Sequence, residues 1–136
     1  MANWQGAART NYFFVKNEKQ FKAWADNLPN MEIGEKDGRF MLMSTCPDTG
    51  AFTQYVYDDE TGHEYDVDLT EIAQFLEDGQ VAIFMEAGAE KLRCITGWAM
   101  AVSWDGRVEN VSIDDIYEKA ANAFGVNRSS ITACSY

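Results

Sequence analysis

Between Phe40 and Glu90 the chain has no lysine and no arginine. Histidine is almost missing as well, His63 being the only one, and proline occurs twice, at Pro29 and Pro47. Each scarcity excludes something. One histidine and three widely spaced cysteines, Cys46, Cys94 and Cys134, make no Cys-x-x-Cys pair and no four-ligand zinc set. The thiols are expected to be reduced and mostly buried, in a cytoplasmic protein. A Ser-His-Asp or Cys-His hydrolase would have to use His63, and no Gly-x-Ser-x-Gly elbow is present. Phosphate-cradling loops of the Gly-Lys-Ser/Thr or Gly-x-Gly-x-x-Gly type are missing too. The N-terminus lacks a basic region followed by an apolar run, and the longest apolar-leaning stretch, Cys94 to Trp104, is far too short to span a bilayer. No secretory signal and no membrane span are therefore expected.

What fills the lysine-free window is acid. It holds twelve carboxylates: Asp48, Asp58, Asp59, Glu60, Glu64, Asp66, Asp68, Glu71, Glu77, Asp78, Glu86 and Glu90. The flanks are close to neutral, so the net charge of −11 sits in the middle of the chain. Such a body repels itself and anionic lipid surfaces, and attracts cations, basic proteins or basic grooves. The charge specifies the sign of a partner and leaves its identity open.

At 136 residues the chain fits one domain with a core of its own. Hydrophobic residues at 46% and aromatics at 13% argue against an acidic disordered tail. Asn11 to Val15 is rich in β-forming aromatics and predicts a first strand. Asn17, with Gln20 three residues on, predicts a capped helix carrying Phe21, Trp24, Ala25 and Leu28 on one stripe before Pro29. Met31 to Ile33 and Arg39 to Thr45 form a hairpin about Lys36-Asp37-Gly38, followed by strands over Phe52 to Tyr57 and Glu64 to Leu69. A second helix fits Leu69 to Glu77, with Asp68 as cap, Glu71 completing a box and Gly79 as stop. Strands over Gln80 to Glu86, Leu92 to Thr96 with Trp98 to Ser103, and Arg107 to Ile113 come next. Gly97 predicts a bulge and Asp105-Gly106 a two-residue hairpin turn. Ser112, with Asp114 and Asp115 in the first turn, starts a third helix with Ile116, Tyr117, Ala120 and Phe124 on its apolar face, ended by Gly125. A short strand over Ile131 to Tyr136 closes the chain. Short turns between consecutive strands favour a single α+β domain: a largely antiparallel sheet of six to seven strands with three helices.

The densest acid lies from Asp58 to Asp68. On a strand over Glu64 to Leu69, Glu64, Asp66 and Asp68 line one face, about 6.6 Å apart, because the rise is about 3.3 Å per residue. That interval is similar to the spacing of phosphates along one nucleic-acid strand, so the row suits the basic groove of a nucleic-acid-binding protein. Asp58, Asp59 and Glu60 extend it, and Tyr55, Tyr57 and Tyr65 supply aromatic anchors. The plainer reading is a solubilising face, although such faces usually mix both signs. A calcium loop is a third. An EF-hand starting at Asp58 would need glycine where His63 stands and glutamate where Leu69 stands, which excludes it. Asp58 and Asp59 as an acid–base pair, or a pocket beside His63, are the enzymatic alternatives. Glu86 to Arg93, which pairs acids with bases at a tight connection, is read as a surface hairpin end that could equally rim a pocket.

In size, acidity, α+β pattern and lack of catalytic motifs, carried by the nine acids and no base from Asp58 to Asp78, the chain resembles the small acidic inhibitors of phages and mobile elements, of anti-CRISPR or anti-restriction type. The resemblance implies a cytoplasmic, non-enzymatic protein that binds a nuclease or nucleic-acid-binding complex, with no cofactor, metal, membrane or direct nucleic-acid contact. Asp58, Asp59, Glu60, Glu64, Asp66, Asp68, Tyr57 and Tyr65 are the candidate partner-binding residues. An immunity protein that neutralises a basic toxin, or a small-ligand or metal-binding module, would fit the same charge.

Overall fold

The structure is a computed structural model describing residues 3–135. Eight strands form two antiparallel sheets. β1 (Gln5–Thr10), β2 (Met31–Lys36), β3 (Arg39–Ser44), β6 (Val81–Glu90), β7 (Cys94–Ser103) and β8 (Val108–Ser112) make a six-stranded sheet in the order β2-β3-β1-β6-β7-β8. β4 (Tyr55–Tyr57) and β5 (Glu64–Asp66) make a separate hairpin. Helices α1 (Glu18–Asp26) and α2 (Ile116–Phe124) and a 3-10 segment, Leu69–Phe75, complete the expected α+β domain.

One face of the large sheet carries the core. Ala8 and Thr10 of β1, Phe40 and Leu42 of β3, Ala82 and Phe84 of β6 and Val102 of β7 alternate inward. Phe21 and Ala25 of α1, Leu69 and Ile72 of the 3-10 segment, and Phe13, Phe52 and Leu76 cover them. Phe21 packs edge-on against Phe13 with ring centroids 5.7 Å apart. Thr10 and Ser103 are the buried polar residues; the Thr10 hydroxyl accepts from the Leu42 N–H (2.8 Å) and donates to the Asn11 carbonyl (2.9 Å), and among the described residues no buried side-chain N or O atom lacks a partner.

The first strand is Gln5–Thr10, not Asn11 to Val15. Its inward residues are small, so the alternation of Ala8 and Thr10 is faint in the sequence. After Thr10 the chain leaves the sheet. The Asn11 side chain substitutes for a strand pairing, accepting from the Ile83 N–H (2.7 Å) and donating to the Val81 carbonyl (3.0 Å), while Phe13 and Val15 make only isolated bridges, to Phe40 and Leu76.

Several turns are built as expected. The Asn17 side chain accepts from the Gln20 N–H (3.0 Å) at the start of α1. Asp37 (φ 54°) and Gly38 (φ 77°) are both left-handed, the requirement of a two-residue hairpin turn whose twist matches the strands. Ser112 and Asp115 form a complete capping box ahead of α2, and Gly125 (φ 67°) closes that helix.

Elsewhere the structure corrects the pattern. The segment Leu69–Phe75 is a 3-10 helix that ends on extended Leu76; Gly79 (φ 84°) lies in the following turn. Gly97 marks no bulge, since β6 and β7 pair without interruption from Val81↔Ser103 to Glu90↔Cys94. A side chain there would meet Ile113, whose Cγ2 would lie 3.3 Å away, so the glycine serves close packing. Trp104-Asp105-Gly106 is a three-residue loop: the Ser103 N–H donates to the Arg107 carbonyl (2.9 Å), and Gly106 alone has positive φ, 86°. The intended apolar face of α2 is largely in solvent, with Ile116 58% and Phe124 77% exposed and only Ala121 buried. The closing strand reduces to one bridge, Cys94↔Ser135, with Tyr136 outside the described residues. The thiols are free but not buried: Cys46 and Cys94 are partly exposed and Cys134 exposed.

Candidate functional site

The acidic segment forms the β4–β5 hairpin, and every residue from Tyr57 to Asp66 is exposed. Six residues, 58–63, join the strands. The Asp58 N–H donates to the His63 carbonyl (2.8 Å), the Gly62 N–H to the Asp58 carbonyl (2.7 Å), and the Glu60 N–H to the Asp58 carboxylate (2.9 Å). Gly62 (φ 70°) takes the left-handed position that such a closure needs. At the base, the Val67 N–H donates to the Gln54 carbonyl (2.8 Å). From there the chain enters the core at Leu69, while on the other arm Phe52 packs on Phe84 with centroids 5.5 Å apart.

The register sorts the candidate residues. Tyr55 pairs with Asp66 and Tyr57 with Glu64, so these four side chains share one face, and Val56 and Tyr65 share the other. Tyr65 faces away from Glu64 and Asp66, as strand alternation requires, and its ring lies 5.6 Å from His63. The Tyr55 hydroxyl donates to the Glu64 carboxylate in a short hydrogen bond. That bond keeps the phenol proton in place and raises the Tyr55 pKa above its usual 10.0, with desolvation and Asp66 adding to the effect.

Strand β5 stops at Asp66, so the expected three-carboxylate row has two members. Asp68 is drawn into the fold as the cap of the 3-10 segment, accepting from the Thr70 N–H (3.0 Å) and the Thr70 hydroxyl (2.6 Å). Glu71 accepts from the Trp24 indole (3.1 Å), and Asp58 is occupied within the turn. Asp59, Glu60 and Asp66 remain for a partner, with Glu64 tied to Tyr55. Among the described residues no acid from Asp58 to Asp78 is in an ion pair; the pairs formed are Lys22–Glu18, Arg93–Glu90 and Arg107–Asp105.

Beside the hairpin base lies a groove of about 500 Å³, lined among others by Gln54, Asp68, Thr70, Trp98, Asn110 and Asp115. Glu86 does not line this groove; it points to the core face of β6, paired across the ladder with Trp98. One Glu86 oxygen accepts from the Phe52 N–H (2.8 Å) and the other from the Trp98 indole (2.7 Å). Nothing in the sequence distinguished this carboxylate from the other eleven of the window except its alternation with Phe84 along β6.

Among the described residues, no group of three or more histidine, cysteine, aspartate or glutamate side chains is placed to hold a metal ion. No helix among them is long and apolar enough to cross a membrane. Compared with known protein families, curated proteins and solved structures, the chain matches none.

Proposed function

We propose that this protein is a non-enzymatic inhibitor that binds a basic protein, a nuclease or nucleic-acid-binding complex, in the cytoplasm of a host cell. The observation that carries the reading is the β4–β5 hairpin: an anionic finger exposed from Tyr57 to Asp66, its acids in no ion pair among the described residues, bearing Tyr55 and Tyr57 on the same face as Glu64 and Asp66. Carboxylates that gain nothing from the fold cost it self-repulsion, a cost offset when lysines and arginines of a partner meet them. The tyrosines are 53% and 56% exposed and add rigid, amphipathic contact area at the centre of the charge.

The anionic patch is compact. Asp59 and Glu60 crown the turn, and Glu64 and Asp66 follow on the strand at about 6.6 Å, the interval of alternate strand residues. It suits a local basic pocket of a nucleic-acid-binding surface, and imitates one or two phosphates, not a long backbone.

The test is a pull-down from host lysate with the wild type and the triple variant Asp59→Lys/Glu60→Lys/Asp66→Lys, which leaves the capping Asp68 untouched. The expected result is a nuclease or nucleic-acid-binding complex retained by the wild type alone and released as salt rises. Equal recovery by both proteins would overturn the proposal.

A further inference from the structure

The two faces of the β4–β5 hairpin differ. Glu64 and Asp66 lie on one with Tyr55 and Tyr57, whereas Tyr65 lies on the other and is 44% exposed. Where Tyr65 approaches the end of α1, a pocket of about 250 Å³ is walled by Trp24, Leu28, Pro29 and Tyr65. Small-molecule sites run to roughly 300–1,000 Å³, so this one has room for a single long side chain.

Independent features of the lining call for a cation. Asp68 and Glu71 both line the pocket. Glu71 accepts from the Trp24 indole through one oxygen (3.1 Å), and Asp68 caps Thr70 through one oxygen, so each carboxylate keeps its second oxygen. No lysine, arginine or histidine lines the pocket beside them. The pocket also lies at the C-terminal end of α1, because Asn27, Leu28 and Pro29 follow directly on the helix. The last turn of α1 has no basic residue, so the partial negative charge of its carbonyl end adds to that of the carboxylates. The Asn27 side chain donates to the Ala23 carbonyl (3.0 Å) and keeps its own oxygen as a further acceptor.

The apolar walls select among cations. A metal ion gains nothing from Leu28 and Pro29, and no group of side chains among the described residues is placed to hold one. A lysine ammonium is compact and strongly hydrated, and loses that water on entering. An arginine covers such walls with its aliphatic stem, stacks its weakly hydrated guanidinium on aromatic rings and offers five donors to carboxylate and amide oxygens. We infer that the pocket seats one arginine side chain of the basic partner, an inference that rests on the function proposed above and adds a shaped contact to the charge of the hairpin.

The test is titration with N-acetyl-arginine amide, and separately with N-acetyl-lysine amide, to about 50 mM at constant ionic strength. The readout is the NMR signal of the Trp24 indole N–H, identified among the four tryptophans by its loss in Trp24→Phe. The arginine amide should move that signal saturably, and the lysine amide should move it several-fold less. Glu71→Gln keeps an acceptor for the indole but removes the charge, and Tyr65→Ala removes one wall. Each should leave the melting point unchanged and weaken arginine binding by about tenfold. In the lysate pull-down, Tyr65→Ala/Glu71→Gln should release the complex at lower salt than the wild type although Asp59, Glu60 and Asp66 are intact. The absence of a saturable shift, equal shifts from the two amides, or wild-type binding by both single variants would overturn the inference. The titration needs no target: saturable arginine binding by a protein that recovers no complex would overturn the hairpin reading and leave the arginine pocket standing.

Discussion

Replacing Glu86 by glutamine separates the carboxylates the fold needs from those it leaves for a partner. The carboxylate accepts two N–H groups at once, the Phe52 amide at 2.8 Å and the Trp98 indole at 2.7 Å. Glutamine keeps the volume but has a single acceptor oxygen, so one donor faces an NH2 group and loses its bond. A buried donor left unmet costs about 1–3 kcal/mol. Glu86 is only half-buried, so some water reaches the site and the expected loss is about 1–2 kcal/mol, or a melting point lower by about 3–8 °C for a chain of this size. The loop holding Phe52, which packs on Phe84 and Trp98, should loosen with it. Urea unfolding followed by tryptophan emission measures this as a lower midpoint at unchanged slope. Glu60→Gln, at the exposed hairpin tip, is the control and should stay within about 0.5 kcal/mol of wild type. Equal midpoints for the two variants would refute the reasoning, because Glu86 would then be one more surface acid.

Two further expectations rest on shifted pKa values. The Ser103 hydroxyl and then Arg107 bond to the Asp105 carboxylate and hold it below its usual 3.8. A depressed carboxyl stabilises the fold above its unfolded pKa, and that contribution disappears as pH falls through the folded value. The melting-point gap between wild type and Asp105→Asn should therefore persist at neutral pH and close in strong acid. Cys46 accepts a hydrogen bond from the Thr49 hydroxyl (3.5 Å), which lowers the thiol pKa from 9.0, helped by the amides of the same turn. Thr49→Val should move the pH profile of Cys46 alkylation upward, and an unmoved profile would show that the hydroxyl does not stabilise the thiolate.

The sequence resolved most where a local rule acts alone. Asn17 and Ser112 as caps, the left-handed Asp37-Gly38 turn and the Gly125 stop each depend on a few neighbouring residues, and each is built as its residue types require. It resolved least where small or polar side chains hide a partner. Gln5–Thr10 has little hydrophobic signal, yet it is the strand that pairs with both β3 and β6. Asn11 to Val15 has strong strand propensity, but Phe13 is drawn into the core beside Phe21. The acidic site was visible as charge and obscure as geometry. That Tyr65 faces away from Glu64 and Asp66 follows from strand alternation alone, whereas the placing of Tyr55 and Tyr57 opposite those carboxylates depends on the hairpin register, which the six-residue turn fixes.

By itself the sequence determined an α+β chain with a core of its own and one block of uncompensated negative charge, because composition and short-range periodicity are properties of the chain. The tertiary structure decided how those acids are used. It spent Glu86 on two core donors, Asp68 on a cap and Asp58 on a turn, and left Asp59, Glu60 and Asp66 in solvent. That division follows from which N–H groups the fold brings within reach of each carboxylate, and these are set by strand order and register, which link residues far apart in the sequence.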